Sequence, residues 1–515
     1  MYLYFMANKK KKLLYIVTTV MLLFVALSLF INSFVKNKVE EHLSNLPQNV
    51  DLSYKNLTIS TISGSIILND IKLVLKNDTL PTKDNTLFIN SIEVTNTSYW
   101  DYIVNNKISI QEIVVIKPNV TYNKKESSQK ENSFLKELSE KPININRLSI
   151  EDGSLNIIHN KKDSLLLQAT NVNVLVEDLL FSEEIKNKPI PFQFKNYTIS
   201  SEELKYQLND FDILTSKSIS VTPKNSEINN LAIKTRYSKE KLSTILKTER
   251  DHFDFTVDSL TLSNSNFETT ANDSLKFTIE KVELENPKLN IYRDKLVPDD
   301  TTIKPMYATL LQELPFKITI SKVELNNGHI DYSEKVKKDR PTGNIYFSKL
   351  NAQIDNITNE FIEDTTKIDI KATFMNQSPI SVQWNFNAND QFNFKADIGS
   401  LQAQKLNQFT EASLNTKVSG MLDKTYFSIN GNSSIGNIDL KIKYEDFEVK
   451  VLTKDGKEKN KFISAIVNLF ISKKSDETNS QFKNGKKEEV KRDKTKSIFN
   501  FIWKNVSAAL LDALT

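Results

Sequence analysis

The chain has 515 residues and a formal net charge of +4, and it contains no cysteine. This length exceeds the usual size of one compact core, so it predicts several domains or an elongated repeat. The near balance of charges indicates no nucleic-acid partner, and the lack of cysteine excludes disulfides, thiolate nucleophiles and cysteine-based metal sites.

The chain begins with features typical of a membrane anchor. Residues 13–34 are uncharged and largely apolar, and four lysines at 9–12 precede them. At about 1.5 Å per residue such a helix spans roughly 33 Å, which is enough to cross a bilayer. The positive-inside rule then predicts a cytoplasmic tail at 1–12, a single-pass anchor at 13–34, and the remaining chain across the membrane.

Two alternatives at this end stay open. A cleaved signal peptide is the rival interpretation, although the apolar run is long and no small-x-small cleavage site follows it. The first five residues precede a second methionine, Met6, and the sequence does not decide which methionine is the true start. After the anchor we expect a helical lead-out at 35–50.

The following region, residues 51–455, repeats one pattern of apolar residues. The pattern is I-x-I-x-x-L-x-L-x-x-G/P-x-I-x-I, and its four copies begin at Ile108, Ile143, Phe277 and Ile318. Apolar residues two apart lie on one face of a strand, and each three-residue step indicates a β-bulge that restores the face. Repetition of this frame predicts one continuous repetitive sheet, whereas an ordinary β-sandwich is the alternative.

The polar end of each copy suggests how the strands connect. Asp152 with Gly153, and Asn327 with Gly328, are pairs that tolerate the positive φ of tight turns, so each copy is interpreted as one hairpin. The predicted fold is therefore mainly β: a long, curled, repetitive sheet of antiparallel type. Short helical interruptions are expected near residues 124–141, 295–315 and 401–414.

The last sixty residues differ from the repeats. Apolar spacing predicts amphipathic helices at 456–472 and 497–515, joined by a flexible basic linker at 473–496. The final helix has two interpretations. Its apolar face either rests on a membrane surface or closes the open end of the sheet and protects the last strand edge.

Signals of an enzyme are weak. The four histidines lie far apart without metal-ligand spacing, and no glycine-rich phosphate loop is present. Asp294, Asp299 and Asp300 suggest a carboxylate metal site, but a solvated loop explains them better. We predict a non-enzymatic protein with no catalytic residue, cofactor or metal.

An N-terminal anchor followed by these repeats resembles the AsmA-like envelope proteins, which include the TamB and YhdP relatives. The more specific similarities lie in residues 292–295 with Pro298, residues 330–332 with Glu334, and residues 499–503 at the end of the chain. The resemblance implies a repeating β-groove, apolar inside, that is anchored in the inner membrane and stands in the periplasm. It further implies a role in phospholipid movement between membranes or in outer-membrane homeostasis.

The resemblance also implies the ligand and its site. Phospholipid or another acyl lipid would lie on the apolar repeat positions. The alternative is that these positions form a closed structural core that binds no ligand. The candidate lining residues are Ile110, Val115, Val120, Ile279, Leu284, Leu289, Ile320 and Leu325. The other function left open is a structural or scaffolding envelope protein that binds a protein partner through exposed strand edges.

Overall fold

A computed structural model describes residues 21, 25, 28–41, 43–46, 49–76, 84–124, 141–159, 164–185, 188, 190–270, 274–360, 365–452 and 482–514. The described part is mainly β and contains 25 strands, β1 to β25 in chain order. The chain divides into two compact units. The N-terminal unit is Met1–Tyr206 with Ser218–Thr222, and the C-terminal unit is Gln207–Lys217 with Pro223–Thr515. The predicted β region 51–455 is thus shared between two units.

The strands of the N-terminal unit range from four to eighteen residues in length. They are β1 Val50–Ser53, β2 Asn56–Ser60, β3 Ser65–Leu75, β4 Asn85–Thr97, β5 Ile108–Ile116, β6 Asn119–Lys124, β7 Ile143–His159, β8 Ser164–Phe181, β9 Asn196–Ser201, β10 Glu203–Gln207 and β12 Ser218–Val221.

The C-terminal unit holds the remaining strands. They are β11 Asp212–Ser216, β13 Asn225–Thr235, β14 His252–Thr269, β15 Leu275–Glu285, β16 Lys288–Asp294, β17 Lys317–Lys335, β18 Gly343–Thr358, β19 Thr365–Phe374, β20 Ser378–Asn387, β21 Phe392–Ile398, β22 Leu401–Gln402, β23 Thr416–Gly431, β24 Ile435–Val451 and β25 Lys483–Lys491.

After the helical residues at 28–41, the helices are short except at the end of the chain. They are α1 Tyr99–Ile103, α2 Lys239–Ile245, α3 Tyr307–Gln312, a helical segment over residues 403–414, and the C-terminal helix Ile498–Leu514. Two of them, α3 and the 403–414 segment, lie where the sequence predicted interruptions. For the third interruption, residues 125–140 lie outside the described residues.

The hairpin interpretation of the repeat is wrong. Strand β7 runs through Asp152 and Gly153, and β17 runs through Asn327 and Gly328, so each glycine copy is one long strand. Asp152 and Asn327 do have positive φ, at 53° and 54°, but they belong to bulges where the pairing register shifts. Neighbouring strands supply hydrogen bonds on both sides of the glycine, and this tertiary pairing overrides the local turn signal.

Each copy of the repeat that contains proline forms two consecutive strands, and these do not fold back on each other as a hairpin. Pro118 separates β5 from β6, and both halves pair with the single long strand β7. Pro287 separates β15 from β16 in the same way, and both halves pair with β17. A proline lacks the N–H that a ladder needs, so it interrupts the strand without changing its course.

These pairings also correct the predicted strand direction, because successive copies of the repeat pair in parallel. Ile108 pairs with Ile143 and Phe277 with Ile318, so equivalent positions of two copies lie side by side. The other pairings are antiparallel, which makes the sheet mixed. A parallel pair needs a crossover connection, and between β16 and β17 this connection contains α3.

The glycine and proline of successive copies face each other across the parallel seam. A Cβ built on Gly153 would lie 3.2 Å from Cγ of Pro118, and one built on Gly328 would lie 3.3 Å from Cγ of Pro287. The backbone bonds are equivalent as well, with the Pro118 carbonyl accepting from the Ser154 N–H and the Pro287 carbonyl from the His329 N–H. The small residue in one copy therefore accommodates the ring of the copy before it.

At the predicted N-terminal anchor the described residues are helical, and helix continues through residues 28–41. Within the described residues, no helix combines the length and the apolar character needed to span a bilayer. The tail 1–12 and most of 13–34 lie outside the described residues.

Near the other end of the chain, the predicted helix 456–472 also lies outside the described residues. The predicted linker 473–496 is wrong over Lys483–Lys491, which forms β25 and pairs antiparallel with β24. Its lysine-rich sequence lacks apolar periodicity because it is an edge strand, where charged residues are common. The final helix lies within its predicted bounds.

Candidate functional site

The candidate site is the apolar face of the sheet in the C-terminal unit. Eleven of the described strands each place one residue in a continuous row of directly paired positions, and we call it the central row. Directly paired residues have side chains on the same face of a sheet. At about 4.8 Å between strands the row extends for about 50 Å. The central row consists of Ile228, Leu260, Leu284, Leu325, Ala352, Ile370, Val382, Ala396, Phe427, Leu440 and Gly485.

A second row lies two residues further along the same strands. It is again apolar at every position, and it is more deeply buried than the first. The second row consists of Leu262, Val282, Val323, Ile354, Ile368, Trp384, Phe394, Ile429 and Ile438. The intervening residues, such as Asp369, Lys371 and Lys395, are exposed on the opposite face. The sheet is therefore apolar on one side and charged on the other.

The central row forms the floor of a large open groove, which we call the C-terminal groove. The mostly polar residues on either side of the row in each strand, including Asp369, Lys371 and Lys395, line this groove as well. The volume of the groove is about 1260 Å³, and eight strands line it. On each of these strands three consecutive residues contribute, and the middle residue belongs to the central row, from Leu325 on β17 to Gly485 on β25. Ordinary small-molecule sites have volumes of roughly 300–1,000 Å³, so this groove suits a larger or elongated ligand.

Burial along the central row changes from one end to the other. Leu325, Ile370 and Val382 are only half-buried, whereas Ala396 and Leu440 are buried. The difference arises because the C-terminal helix packs over the last strands, with Phe501 in the same buried cluster as Leu440. The middle of the groove thus keeps apolar side chains accessible while its end is covered.

The C-terminal helix closes that end through close packing and polar contacts with β25. A Cβ on Gly485 would overlap the carbonyl oxygen of Ala509, so only glycine lets the helix approach β25 this closely. The Lys486 N–H donates to Oδ2 of Asp512 at 2.8 Å, which satisfies a donor on the last strand. Of the two interpretations of this helix, the structure favours closure of the sheet end.

The N-terminal unit carries comparable apolar rows. The first consists of Leu57, Leu68, Ile92, Val115, Ile150, Val174, Ile199 and Val221. The second consists of Leu52, Leu73, Leu87, Val120, Leu155, Ala169 and Leu204. Most of these side chains are half-buried, and Ile199 is exposed. The apolar face is therefore a property of both units.

The predicted lining residues divide between the two units. In the N-terminal unit Val115 and Val120 lie in the two rows, and Ile110 pairs with Ile145. In the C-terminal unit Leu284 pairs with Leu325 in the central row, Ile279 pairs with Ile320, and Leu289 pairs with Ile330. Among the eight predicted residues, only Leu325 lines the C-terminal groove as the structure describes it.

Sequence reasoning missed most of the groove floor, because the repeat pattern ends before the strands that form it. Ala352, Ile370 and Val382 lie in β18, β19 and β20, outside the four strict copies. A simpler signal was available there, since Ile368, Asp369, Ile370 and Lys371 alternate strictly between apolar and charged.

One cluster of buried charge lies near the ends of β16 and β17. The Arg293 guanidinium donates to both carboxylate oxygens of Asp251, at 2.7 and 2.8 Å. Glu334 is buried, accepts from the Tyr332 hydroxyl at 2.8 Å and pairs with Lys295 at 2.9 Å. Burial raises the pKa of Glu334, but the charge of Lys295 and these hydrogen bonds outweigh burial and lower it below its ordinary value. Each of these charges has a partner, which is the arrangement of a structural network.

The aspartates of the predicted acidic loop also have partners, both within the loop and at Lys496. Asp299 forms an ion pair with Lys496 at 3.0 Å, Asp300 pairs with Lys304, and Asp294 accepts from the Leu296 N–H. Across the described residues, no group of acidic or histidine side chains is arranged to hold a metal ion.

The site is thus defined by a continuous apolar face, a groove that leaves its middle accessible, and a helix that covers its end. In comparisons with known proteins, no family model and no curated protein matches this chain.

Proposed function

We propose that the chain is a membrane-anchored protein of the cell envelope that binds the acyl chains of phospholipid or another acyl lipid on its apolar sheet face. Through this binding it contributes to lipid transport between membranes or to outer-membrane homeostasis. The observation that carries the proposal is the central row, which is apolar in every strand and half-buried in the middle of the groove. The resemblance to AsmA-like proteins supports the same function and the periplasmic location.

The physical driving force is burial of the acyl chain. Transfer of each methylene from water to an apolar surface contributes roughly 0.8 kcal/mol. A row of about 50 Å exceeds the length of one acyl chain, because two opposed lipid layers together make a hydrocarbon core of only about 30 Å. A lipid therefore has several positions along the accessible part of the row, and moving between them costs little. Its head group stays in water at the open side of the groove.

A charge in the middle of the groove tests the proposal. Val382 lies in the central row and is half-buried, while Asn385, three residues further along the same strand, alternates to the opposite face and does not line the groove. We expect Val382→Glu to reduce the lipid retained by the full chain, because a carboxylate in the acyl path must be desolvated. Asn385→Glu adds the same charge on the same strand outside the groove lining and should leave lipid retention unchanged.

The measurement is mass spectrometry of lipid retained after gentle purification, with uptake of a fluorescent phospholipid as a second assay. Circular dichroism checks that both variants keep the β fold. Equal lipid content in the two variants would contradict the proposal, as would a folded wild-type chain that neither retains nor takes up lipid. Crosslinking that captures one protein in a fixed ratio, with no lipid, would favour the scaffolding alternative.

A further inference from the structure

A second apolar surface lies outside the rows, on the short helix α1 of the N-terminal unit. Tyr99 and Tyr102 are about half exposed, and Trp100 and Ile103 are 70% and 77% exposed. Val104, at the C-terminal end of the helix, is exposed as well. Five large apolar or aromatic side chains in six consecutive residues form a cluster, whereas single exposed apolar residues are common on any protein.

The polar side of α1 is satisfied within the unit. The Ser98 hydroxyl accepts from the Asp101 N–H at 3.2 Å and caps the helix. The Asp101 carboxylate accepts from the Asn105 amide at 2.6 Å and pairs with Lys107 at 3.5 Å. These contacts hold α1 in one orientation with its apolar side chains outward, so little further ordering is needed for binding.

A neighbouring turn extends this surface. Residues 61–64 join β2 to β3, and Ile62 in this turn is 71% exposed. Gly64 has φ of 60°, and a Cβ there would lie 2.7 Å from the carbonyl oxygen of Thr97, directly before α1. The Thr97 N–H also donates to the Gly64 carbonyl at 3.0 Å, so the turn and the start of α1 are in contact.

The same turn contacts the N-terminal helical residues. The Thr61 N–H donates to Oδ1 of Asn32 at 2.6 Å. Around Asn32 the side chains of Leu29, Phe30 and Phe34 are exposed. One end of the N-terminal unit therefore brings together three exposed apolar groups: α1, the 61–64 turn and the helical residues near Asn32.

We propose that α1 and the 61–64 turn form a surface that rests in the interface of a lipid bilayer. Tyrosine and tryptophan are enriched at the bilayer interface because they combine an apolar ring with a polar group. Lys141 lies over the Tyr102 ring, 3.8 Å from its centroid, and supplies a positive charge for anionic head groups. The hydrogen bond from the turn to Asn32 holds this surface beside the exposed apolar residues of the N-terminal helical segment, which favours a bilayer over a separate protein partner. This inference does not depend on lipid binding in the C-terminal groove.

The test uses the fluorescence of Trp100 to report whether this surface contacts lipid. The chain has three tryptophans, so the full chain with Trp384→Phe and Trp503→Phe keeps Trp100 alone. It is reconstituted in vesicles of phosphatidylcholine and phosphatidylglycerol, some of which carry bromine on their acyl chains. We expect blue-shifted Trp100 emission that bromolipid quenches and that aqueous iodide quenches poorly.

Two further substitutions distinguish binding through this surface from non-specific adsorption of the protein to lipid. Ile103→Ser in the single-tryptophan chain should reduce quenching by bromolipid, because it removes an apolar contact beside Trp100. Ile303→Ser alters an equally exposed isoleucine in the C-terminal unit, where Ile303 is 71% exposed, and should leave the quenching unchanged. Circular dichroism establishes that each variant is folded. Trp100 emission typical of water, with strong iodide quenching and no bromolipid quenching in a folded chain, would overturn the inference, as would equal effects of the two serine substitutions.

Discussion

At the scale of single residues, Glu334 shows how neighbours determine a protonation state. Its carboxylate is buried, and burial alone disfavours the charge. Lys295 at 2.9 Å and the Tyr332 hydroxyl at 2.8 Å stabilise the charged form, and the pKa lies below the ordinary value of 4.5. The same interaction raises the pKa of Tyr332, where burial is the main cause and the charge of Glu334 adds to it.

This arrangement predicts a pH dependence of stability. Because the folded pKa of Glu334 is below its unfolded value, the stabilisation is present above pH 4.5 and is lost as the pH falls through the folded pKa. We expect Glu334→Gln to lower the free energy of unfolding at neutral pH by about 1–3 kcal/mol. It should also flatten the pH dependence below pH 4.5.

Urea denaturation of the full chain across this pH range measures both effects. Glu448→Gln, at an exposed position on β24, is the matched control and should change neither quantity. An unfolding free energy for Glu334→Gln that equals the wild type at neutral pH would contradict the assigned role of this carboxylate.

At the scale of elements, the contact of the C-terminal helix with β25 depends on a residue without a side chain. Gly485 lies under Ala509, and an added Cβ would overlap the helix backbone and lie 3.0 Å from Cβ of Ala513. The strand is held by its pairing with β24 and the helix by its packing on the buried apolar cluster, so neither can move without losing contacts. The helix must then shift or detach.

We therefore expect Gly485→Ala to destabilise the docked helix by about 1–3 kcal/mol, the usual cost of overpacking. Amide hydrogen exchange over Ile498–Leu514 should become faster, while exchange in β23 changes little. Asn484→Ala, on the exposed neighbouring residue, is the control and should leave the helix protected. Unchanged protection in Gly485→Ala would show that the helix is not held in this way.

The glycines of the repeat also act through contacts between elements. Asp-Gly and Asn-Gly pairs are strong local signals of a hairpin, yet β7 and β17 continue through them. The backbone around Gly153 and Gly328 is paired on both sides, and the glycine faces Pro118 or Pro287 of the preceding copy. The glycine is needed for that close approach and not for a reversal of the chain.

At the scale of the whole molecule, two compact units each contain their own apolar rows. The C-terminal unit adds a dense aromatic cluster in which Phe501 is 1% exposed and packs edge-on against Phe392, with ring centroids 6.1 Å apart. Stability of a chain organised in this way need not be uniform, because compact units often open separately.

We expect Phe501→Ala to destabilise the C-terminal unit by about 3–5 kcal/mol, since it removes a fully buried aromatic ring. Hydrogen exchange should accelerate in β23 and β24, whereas β7 and β8 of the N-terminal unit should keep their protection. Phe499→Ala, at an exposed position of the same helix, is the control and should have a smaller effect. Equal acceleration in both units would show that they unfold together.

The sequence alone determined the local character of this protein. Alternation of apolar and polar residues predicted strands, the three-residue steps predicted bulges, and the spacing after Ser497 predicted the final helix. These features are set by interactions between residues close in sequence, where side-chain periodicity and backbone geometry suffice. The mainly β fold followed from them.

Only the tertiary structure decided how the strands are combined. Three features depend on partners distant in the chain: successive copies pair in parallel, β7 continues through Gly153, and Lys483–Lys491 forms a strand where the sequence predicted a linker. The groove floor likewise joins residues from β17 to β25 that share no sequence motif. Hydrogen bonds and burial between distant segments outweigh local preference by their number, and a periodic pattern does not reveal which strands will be neighbours.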